Sequence, residues 1–437
     1  MLRQTSGRGL DTNEDAAGCL RPYRWTGLIT LCIVLAGVTC RSAVAATLCV
    51  NPGGTSGCFS TIGAAVAAAS ARDNIKVGPG TYKEDVVIGK SISLIGARTS
   101  NTIIDATGKS NGIYVDGIDN PGLSNVLVTG FTITNANFEG ALFTNTSSSL
   151  FYSNRVVNND KGLIIGSGTC PGQPGFETSE GDDCGEGIHL MGVDHTTIAN
   201  NTVQGNSGGI LLSDETLATH DNLISGNTVS NNPYDCGITM ASHPPASGST
   251  PLGITHNTIA NNTSSHNGYL VPGAGAGVGI FAALPGGIVT GNVVINNQLT
   301  NNGLPGVAFH AHAPGESLND NMIVGNTISG NGPDTEDAAT PGPTGINVFG
   351  VSSITGTIIS QNVIDGEMID IVVNTPVDVY ANLNNFLDAQ FGVDNIGMGR
   401  VNALENWWGC AGGPTAAGCA MAGGTSVSVA PWLTAPF

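Results

Sequence analysis

The sequence predicts an all-β fold, a single-stranded right-handed parallel β-helix (solenoid) of about ten to twelve coils with an N-terminal capping helix. The first supporting observation is a five-residue pattern, Gly-apolar-any-apolar-any, that recurs along the chain. Its copies are Gly187–Met191, Gly209–Ser213, Gly237–Ala241, Gly277–Phe281, Gly306–His310 and Gly345–Phe349. Alternation with period 2 is typical of a strand, and its recurrence along a chain is typical of a solenoid.

The second observation is an Asn-x-apolar motif that precedes most of these strands. Its asparagines are Asn154, Asn201, Asn227, Asn257, Asn292 and Asn326, with a weaker copy at Asn362. Five residues after each of the first six stands a second asparagine, at Asn159, Asn206, Asn232, Asn262, Asn297 and Asn331. Asparagine tolerates the left-handed turn conformation, and stacked amide side chains form hydrogen-bond ladders. We therefore predict a structural role for these asparagines, stacked from coil to coil.

The third observation is the composition. Charged residues make up 11% of the chain and Gly occupies 63 positions, which fits short strands joined by tight turns. The formal net charge of −19 makes nucleic acid and anionic membrane unfavourable partners. No Lys or Arg occurs between Lys161 and Arg400, so the central face needs a neutral substrate, or a metal ion to hold a polyanion.

The amino terminus has the features of a signal peptide. Arg21 and Arg24 precede an apolar run over residues 28–38, and small residues follow at 43–46. This pattern predicts cleavage after residue 46, export to the periplasm or the extracellular space, and no membrane insertion afterwards. We expect an N-terminal cap and first coils over 47–111, with an amphipathic helix over 61–71. Regular coils should follow over 112–405, and a C-terminal cap over 406–437.

Seven cysteines remain after cleavage. Three close pairs predict disulfides that staple loops in an exported protein, namely Cys49 with Cys58, Cys170 with Cys184, and Cys410 with Cys419. Cys236 is left over and is expected to be a buried free thiol.

Three short segments resemble the opening of pectinesterase-like right-handed parallel β-helix proteins. They are FSTI at residues 59–62, GTYKE at 80–84 and LIG at 94–96. The longer repeat, over about residues 59–410, is similar to secreted β-helix repeat proteins with the pectin-lyase-like fold. The resemblance implies a fold and no particular activity. The aspartate and arginine motifs of pectinesterases are missing, as are the Gly-His-Gly and Arg-Ile-Lys motifs of polygalacturonases and the arginine base of pectate lyases.

Candidate catalytic residues lie on the outward face of the patterned strands. Positions two and four after each Gly should point outward, which places His189, Ser213 and His310 there, with His243 and His312 just beyond. In the predicted register, Glu215 and His243 occupy equivalent positions in adjacent coils, about 4.8 Å apart. All eight histidines lie between His189 and His312. We predict catalytic roles for Asp214, Glu215, Asp235, His243, His189 and His310, and substrate contacts for Glu186, Ser213, Phe281 and His312.

An acidic insertion between the predicted disulfide partners Cys170 and Cys184 flanks this face. Its carboxylates include Glu177, Asp182 and Asp183, and it is a candidate for Ca²⁺ binding through the two aspartates. A second insertion, over 333–343, is acidic and rich in proline and is expected to be a surface loop.

These observations favour an exported, monomeric, carbohydrate-active enzyme that cleaves an extracellular polysaccharide in a groove along the solenoid, as a lyase or a glycoside hydrolase. Two alternatives remain open. One is a non-catalytic carbohydrate-binding or surface solenoid, and the other is a periplasmic metal-handling β-helix protein, for which the histidines would supply the ligands.

Overall fold

The computed structural model describes residues 45–164, 170–177, 184–243, 250–270, 275–282, 284–335, 337 and 340–437. Residues 45–437 belong to a single unit. Nearly all of the predicted signal peptide lies outside the described residues. So do Asp182 and Asp183, the predicted calcium ligands.

The described part of the chain forms three long parallel sheets. Sheet 1 has 14 strands: Thr47–Val50, Asn74–Val77, Ser93–Gly96, Leu127–Thr129, Leu150–Tyr152, Thr197–Ala199, Leu223–Ser225, Thr258–Ala260, Val293–Ile295, Met322–Val324, Ile358–Ser360, Val379–Asn382, Val401–Asn402 and Val427–Ser428.

Sheet 2 carries the Gly-apolar pattern. Its 12 strands are Val86–Ile88, Ile113–Asp116, Ala141–Thr144, Glu186–Met191, Gly208–Ser213, Ile238–Ser242, Val278–Ala282, Val307–Ala311, Thr344–Gly350, Ile369–Asn374, Phe391–Asn395 and Met421–Gly424.

In most coils a strand of sheet 3 follows the strand of sheet 1 along the chain. The 11 strands of sheet 3 are Gly80–Tyr82, Thr102–Asp105, Thr132–Thr134, Arg155–Val157, Thr202–Gln204, Thr228–Ser230, Thr263–Ser265, Gln298–Thr300, Thr327–Ser329, Val363–Asp365 and Asn385–Leu387. A short fourth sheet consists of Thr219–His220, Ile254–Thr255 and Val289–Thr290. Each strand pairs in parallel with the strand one coil away, so the chain forms the predicted right-handed parallel β-helix.

One α-helix, Ile62–Ala68, lies near the amino end of the described chain. Its first turn is capped twice. Thr61 Oγ1 accepts a hydrogen bond from the Ala64 N–H, and the Glu84 carboxylate accepts from the Ile62 and Gly63 N–H groups. The predicted helix over 61–71 is too long, because the backbone becomes extended at residue 69, where Lys90 Nζ binds the carbonyl groups at the helix end.

The core is continuous and aliphatic. In sheet 2 the first and third residues after the Gly point inward, as predicted, and Ile188 and Leu190 are fully buried. The Gly itself is required by space. A Cβ on Gly187 would lie 2.7 Å from the Nδ2 atom of Asn206, and one on Gly209 would collide with the carbonyl oxygen of Gly237 in the next coil.

Three asparagine ladders run along the described coils. In each step the side-chain oxygen accepts the backbone N–H of the asparagine one coil earlier, at 2.7–3.3 Å. The middle ladder contains Asn154, Asn201, Asn227, Asn262, Asn297, Asn326, Asn362, Asn384 and Asn406. The flanking ladders contain Asn222, Asn257, Asn292 and Asn321 on one side, and Asn159, Asn206, Asn232, Asn267, Asn302 and Asn331 on the other.

The ladders correct two sequence-based predictions. Asn257 and Asn292 do not stack with Asn227, whose partner is Asn262. Some coils contain three asparagines spaced five residues apart. An alignment that assumes only two ladders can therefore match an asparagine with one that lies five residues too early in the next coil. The second correction concerns the backbone. The left-handed conformation was predicted for the ladder asparagines, but it is adopted by the residue before a ladder asparagine, as at Asn200, where φ is 54°.

The predicted disulfides Cys49–Cys58, Cys170–Cys184 and Cys410–Cys419 are all formed. The predicted free thiol of Cys236 is buried. Near the carboxyl end, Trp408 is fully buried and packs edge-on against Phe386, at a ring-centroid distance of 5.0 Å, so it covers the core of the last coils.

Candidate active site

Consecutive strands of sheet 2 bring a histidine and several glutamates together. In the parallel register, His189 lies beside Leu211, and Met191 lies beside Ser213. The Nε2 atom of His189 is 2.8 Å from Ser213 Oγ, which donates in turn to Glu215 Oε2 at 2.8 Å. The side chains of His189, Ser213 and Glu215 therefore form one chain of hydrogen bonds across two coils.

Glu139 completes this chain from the preceding coil. Its Oε1 lies 3.1 Å from His189 Nδ1, and its Oε2 accepts the backbone N–H of Glu186 at 2.6 Å. Glu177, from the loop closed by the Cys170–Cys184 disulfide, lies against the same group. Glu139, Glu177 and His189 each place one potential ligand atom within 4.8 Å of the others. We call Glu139, Glu177, His189, Ser213 and Glu215 the glutamate–histidine cluster.

The charges of the cluster shift two pKa values in a mutually consistent way. Burial alone lowers the pKa of His189, but the hydrogen bond and charge of Glu139, with the charges of Glu215 and Glu177, raise it to about 9. Burial raises the pKa of Glu177 to about 8, and repulsion from Glu139 and Glu215 adds to this while attraction from His189 opposes it. At neutral pH the cluster therefore holds an imidazolium and a protonated carboxyl group side by side.

Asp214 and His243 lie at the edge of the cluster. The Asp214 carboxylate is fully buried and accepts hydrogen bonds from the Gly253 N–H, Ser242 Oγ and the His243 N–H, so it fixes the end of the strand Ile238–Ser242. Burial raises its pKa despite those bonds. The imidazole of His243 is 16% exposed and its Nδ1 lies 3.8 Å from Glu215 Oε1, which agrees with the predicted adjacency of these two residues.

A second cluster forms around His310, in the column of outward positions that also holds Phe281 and Phe349. The ring centroids of Phe281 and Phe349 lie 5.1 and 5.9 Å from that of His310, and the exposed His312 ring lies at 4.9 Å. The Nε2 atom of His310 is 2.6 Å from Asp334 Oδ2. We call Phe281, His310, His312, Phe349 and Asp334 the ring cluster.

Asp334 links the ring cluster to the next coil. Its Oδ2 also accepts a hydrogen bond from Asn347 Nδ2 at 2.8 Å. Burial acts to raise the pKa of Asp334, but the hydrogen bond and charge of His310 outweigh this and lower it. Asp334 is 1% exposed and Asp337 is 3% exposed, so the prediction of a surface loop over 333–343 is wrong at both residues. Pairing with His310 and Asn374 draws these acidic side chains against the sheet.

The two clusters are separate. The strands that carry His189 and His310 are four strand spacings apart in sheet 2, which is about 19 Å. The sequence-based hypothesis joined both histidines in one site, whereas the structure places them in different coils with different carboxylate partners. The expected open groove is also covered where it was sought, because the outward-facing His189 and His310 are only 4% and 2% exposed.

The remaining predicted site residues lie around these clusters. Glu186 is buried and its backbone N–H donates to Glu139, and Ser213 is buried within the glutamate–histidine cluster. Asp235 is half-buried beside Cys236. Burial raises the pKa of the Cys236 thiol, and the charge of Asp235 raises it further. Phe281 is half-buried. Calcium binding at Asp182 and Asp183 remains a prediction.

Sequence reasoning missed Glu139, Asp334 and Asn347. A signal for Glu139 was present, since Glu139 directly precedes Gly140 and the strand Ala141–Thr144, just as Glu186 precedes Gly187. Extending the Gly-apolar pattern one coil towards the amino terminus would have found it. Asp334 carries no such signal, because it lies in an insertion whose path along the sheet is fixed only by tertiary contacts.

Within the described residues, none of the helices is long and apolar enough to cross a membrane. A model of the family described as "Periplasmic copper-binding protein (NosD)" matches residues 175–370. No curated protein matches the sequence.

Several solved structures are similar to this chain at 14–16% sequence identity. ORF18 of Geobacillus virus E2 is 15% identical with a TM-score of 0.48, over 79% of this chain and 58% of that one, so this chain spans little more than half of its length. A rhamnogalacturonan lyase is 16% identical (TM-score 0.46, 73% of this chain, 82% of that one). PfbA, a surface adhesin of Streptococcus pneumoniae, is 14% identical (TM-score 0.48, 76% of this chain, 86% of that one).

The coil-by-coil parallel pairing of three long sheets establishes the architecture. The chain is therefore a right-handed parallel β-helix protein.

Proposed function

We propose that the protein is an exported carbohydrate-active enzyme that cleaves a polysaccharide at the edge of the glutamate–histidine cluster where His243, beside Glu215, reaches solvent. One geometric observation carries the proposal: Glu177 and Glu215 both lie against the His189 imidazole, Glu177 with a carboxylate oxygen within 4.8 Å of a ring nitrogen and Glu215 with Oε2 at 3.8 Å from Nε2. The pKa of Glu177, raised to about 8 chiefly by burial, suits a proton donor. Glycoside cleavage requires one carboxyl group to donate a proton and a second to act as base or nucleophile. Glu177 is the proposed donor and Glu215 the proposed second group.

His189 and Glu139 are proposed to position this pair. The ring of His189 lies between Glu139 Oε1, at 3.1 Å, and Glu215 Oε2, at 3.8 Å, so it holds the two glutamates in place. His243 is the proposed substrate contact at the edge of the cluster, since part of its ring reaches solvent beside Glu215.

The lack of lysine and arginine favours a neutral polysaccharide over a polyuronate. No Lys or Arg occurs between Lys161 and Arg400, so no lysine or arginine side chain from that stretch can neutralise a substrate carboxylate. Hydrolysis of a neutral glycan is therefore favoured over the lyase alternative. The half-buried Phe281 and Phe349 rings of the ring cluster would contact apolar sugar faces further along the same sheet.

Export to the periplasm or the extracellular space is part of the proposal. Three disulfides suit an oxidising compartment. The disulfide Cys170–Cys184 has a further role here, because it closes the loop that delivers Glu177 to the cluster.

The test is activity of the purified protein on a panel of neutral and uronate polysaccharides, with reducing ends measured for hydrolysis and unsaturated products for lysis. Glu177→Gln should lower kcat at least 100-fold on the cleaved glycan, because general acid catalysis typically contributes that much. Glu316→Gln is the matched control, since Glu316 is also buried and hydrogen-bonded but lies on a remote coil. No cleavage of any glycan, or full activity in Glu177→Gln, would refute the proposal.

Metal handling is the second candidate, and two findings favour it. The family whose model matches residues 175–370 is described as copper-binding, and Glu139, Glu177 and His189 offer a buried imidazole and two carboxyl groups within 4.8 Å of one another. If this candidate is right, Cu²⁺ bound per chain should fall by one equivalent in His189→Gln while polysaccharides remain uncleaved by the native protein. Unchanged copper stoichiometry in that variant would exclude the cluster as a metal site.

A further inference from the structure

A second group of potential metal ligands lies on the turn that leads from sheet 2 into sheet 1, outside the glutamate–histidine cluster. Asp194 pairs in parallel with His220, and His220 pairs with Thr255 one coil further on. The next residue in each coil is therefore also aligned, which stacks His195, Asp221 and His256 about 4.8 Å apart. All three have left-handed backbone conformations, with φ of 48°, 56° and 56°.

The left-handed backbone conformation is shared by the equivalent positions in neighbouring coils, which are Ser148, Gly291 and Asp320. Histidine tolerates this conformation, as do Gly, Asn and Asp. The feature that marks this turn as a candidate site is the arrangement of its side chains.

The side chains at this turn already have the arrangement of a metal site. The Nδ1 atom of His195 is 2.7 Å from Asp194 Oδ1, and that of His220 is 2.9 Å from Asp221 Oδ2. Asp194, by accepting the proton of His195 Nδ1, fixes that ring and leaves its Nε2 as the lone-pair donor, as in many metal sites. His220 Nδ1 and Asp221 Oδ2 instead face each other as two potential ligand atoms. The two ring centroids are 6.0 Å apart.

The spacing suits one small cation. His195, His220 and Asp221 each place one ligand atom within 4.8 Å of the others. Ligands bound at about 2.0–2.2 Å in a tetrahedron lie roughly 3.4 Å apart, so small side-chain rotations would close the site. The side chains of His195 and His220 are 61% and 36% exposed, which leaves them free to rotate and open to ions from solution.

We propose that His195, His220 and Asp221 bind one divalent transition-metal ion of the zinc and copper type, with water completing the coordination. Two imidazoles and one carboxylate prefer such ions to Ca²⁺ or Mg²⁺, which prefer oxygen ligands. The site is independent of the proposed catalytic function.

The test is calorimetric titration of the full chain, purified without a polyhistidine tag, with ZnCl₂ and separately with CuCl₂. Two variants remove ligands and respect the backbone. His195→Asn keeps a residue that tolerates the left-handed conformation, and His220→Thr introduces the residue found at the paired position Thr255. His266→Asn is the matched control, since His266 also has positive φ, at 56°, in a different turn.

We expect binding of at least one equivalent of metal, and a loss of at least tenfold in affinity for one equivalent in each ligand variant but not in His266→Asn. Circular dichroism should show all variants folded. Cobalt substitution should give visible absorption bands of a four-coordinate ion that are lost in His195→Asn and retained in Glu177→Gln, which separates this site from the glutamate–histidine cluster. No binding of either metal, or equal binding in native protein and both ligand variants, would overturn the proposal.

Discussion

Replacing one asparagine of the middle ladder should weaken the solenoid strongly and locally. Asn227 is 1% exposed. Its Oδ1 accepts hydrogen bonds from the backbone N–H and the Nδ2 of Asn201, at 2.9 and 3.0 Å, and its own Nδ2 donates to the Ile198 carbonyl and to Asn262 Oδ1. Asn227→Ala removes all four bonds and leaves two buried N–H groups of Asn201 without this acceptor.

The magnitude follows from the donors left unsatisfied. Two buried N–H donors of Asn201 lose their acceptor, and each such loss costs about 1–3 kcal/mol, so the free energy of unfolding should fall by roughly 2–6 kcal/mol. The matched control is Asn200→Gly, at the adjacent exposed turn position with φ of 54°, where Gly adopts the same conformation without strain.

Two measurements check this prediction. Urea unfolding gives the change in the free energy of unfolding, and hydrogen exchange resolves the backbone N–H of Asn201 itself. Because each coil contacts mainly its neighbours, exchange should accelerate by more than about 30-fold near Asn201 and much less in distant coils. A loss below about 0.5 kcal/mol in Asn227→Ala, or equal effects in Asn200→Gly, would refute the assignment of the ladder as a major source of stability.

Three further predictions concern buried titratable groups. Because the folded-state pKa values of Glu177 and His189 are raised, to about 8 and about 9, the folded protein binds more protons than the unfolded chain, so the free energy of unfolding should fall as pH rises through these values. Urea titrations at several pH values should show a smaller fall in Glu177→Gln, and an identical pH profile would contradict the shift. Asp334→Ala should cost about 3–5 kcal/mol by stranding the buried His310, whereas a surface-loop residue would cost under about 0.5 kcal/mol in the same assay. The buried thiol of Cys236, with a pKa raised well above its usual value, should react with iodoacetamide only after denaturation, and peptide mass spectrometry of native protein showing alkylation there would disprove its burial.

The cluster around His189 shows how far pattern reasoning reaches into a candidate site. The period-2 pattern placed His189 and Ser213 on the outward face, and the parallel register brought them within hydrogen-bonding distance. The adjacency of Glu215 and His243 was also predictable, since both stand at the same offset from their Gly. Glu177 was visible only as one of several carboxylates in an acidic insertion, and nothing in its local sequence indicates that it folds back onto His189.

Local sequence therefore determined the repeating features of this protein. Alternating apolar residues, a Gly where the next coil leaves no room for a Cβ, and recurrent asparagines specify coils, core and ladders, because these depend on contacts between equivalent positions. Only the tertiary structure decided the exact ladder register, the burial of Asp334 and the approach of Glu177 to His189. Those features depend on loop paths, which are set by packing over long sequence distances and carry no periodic signal.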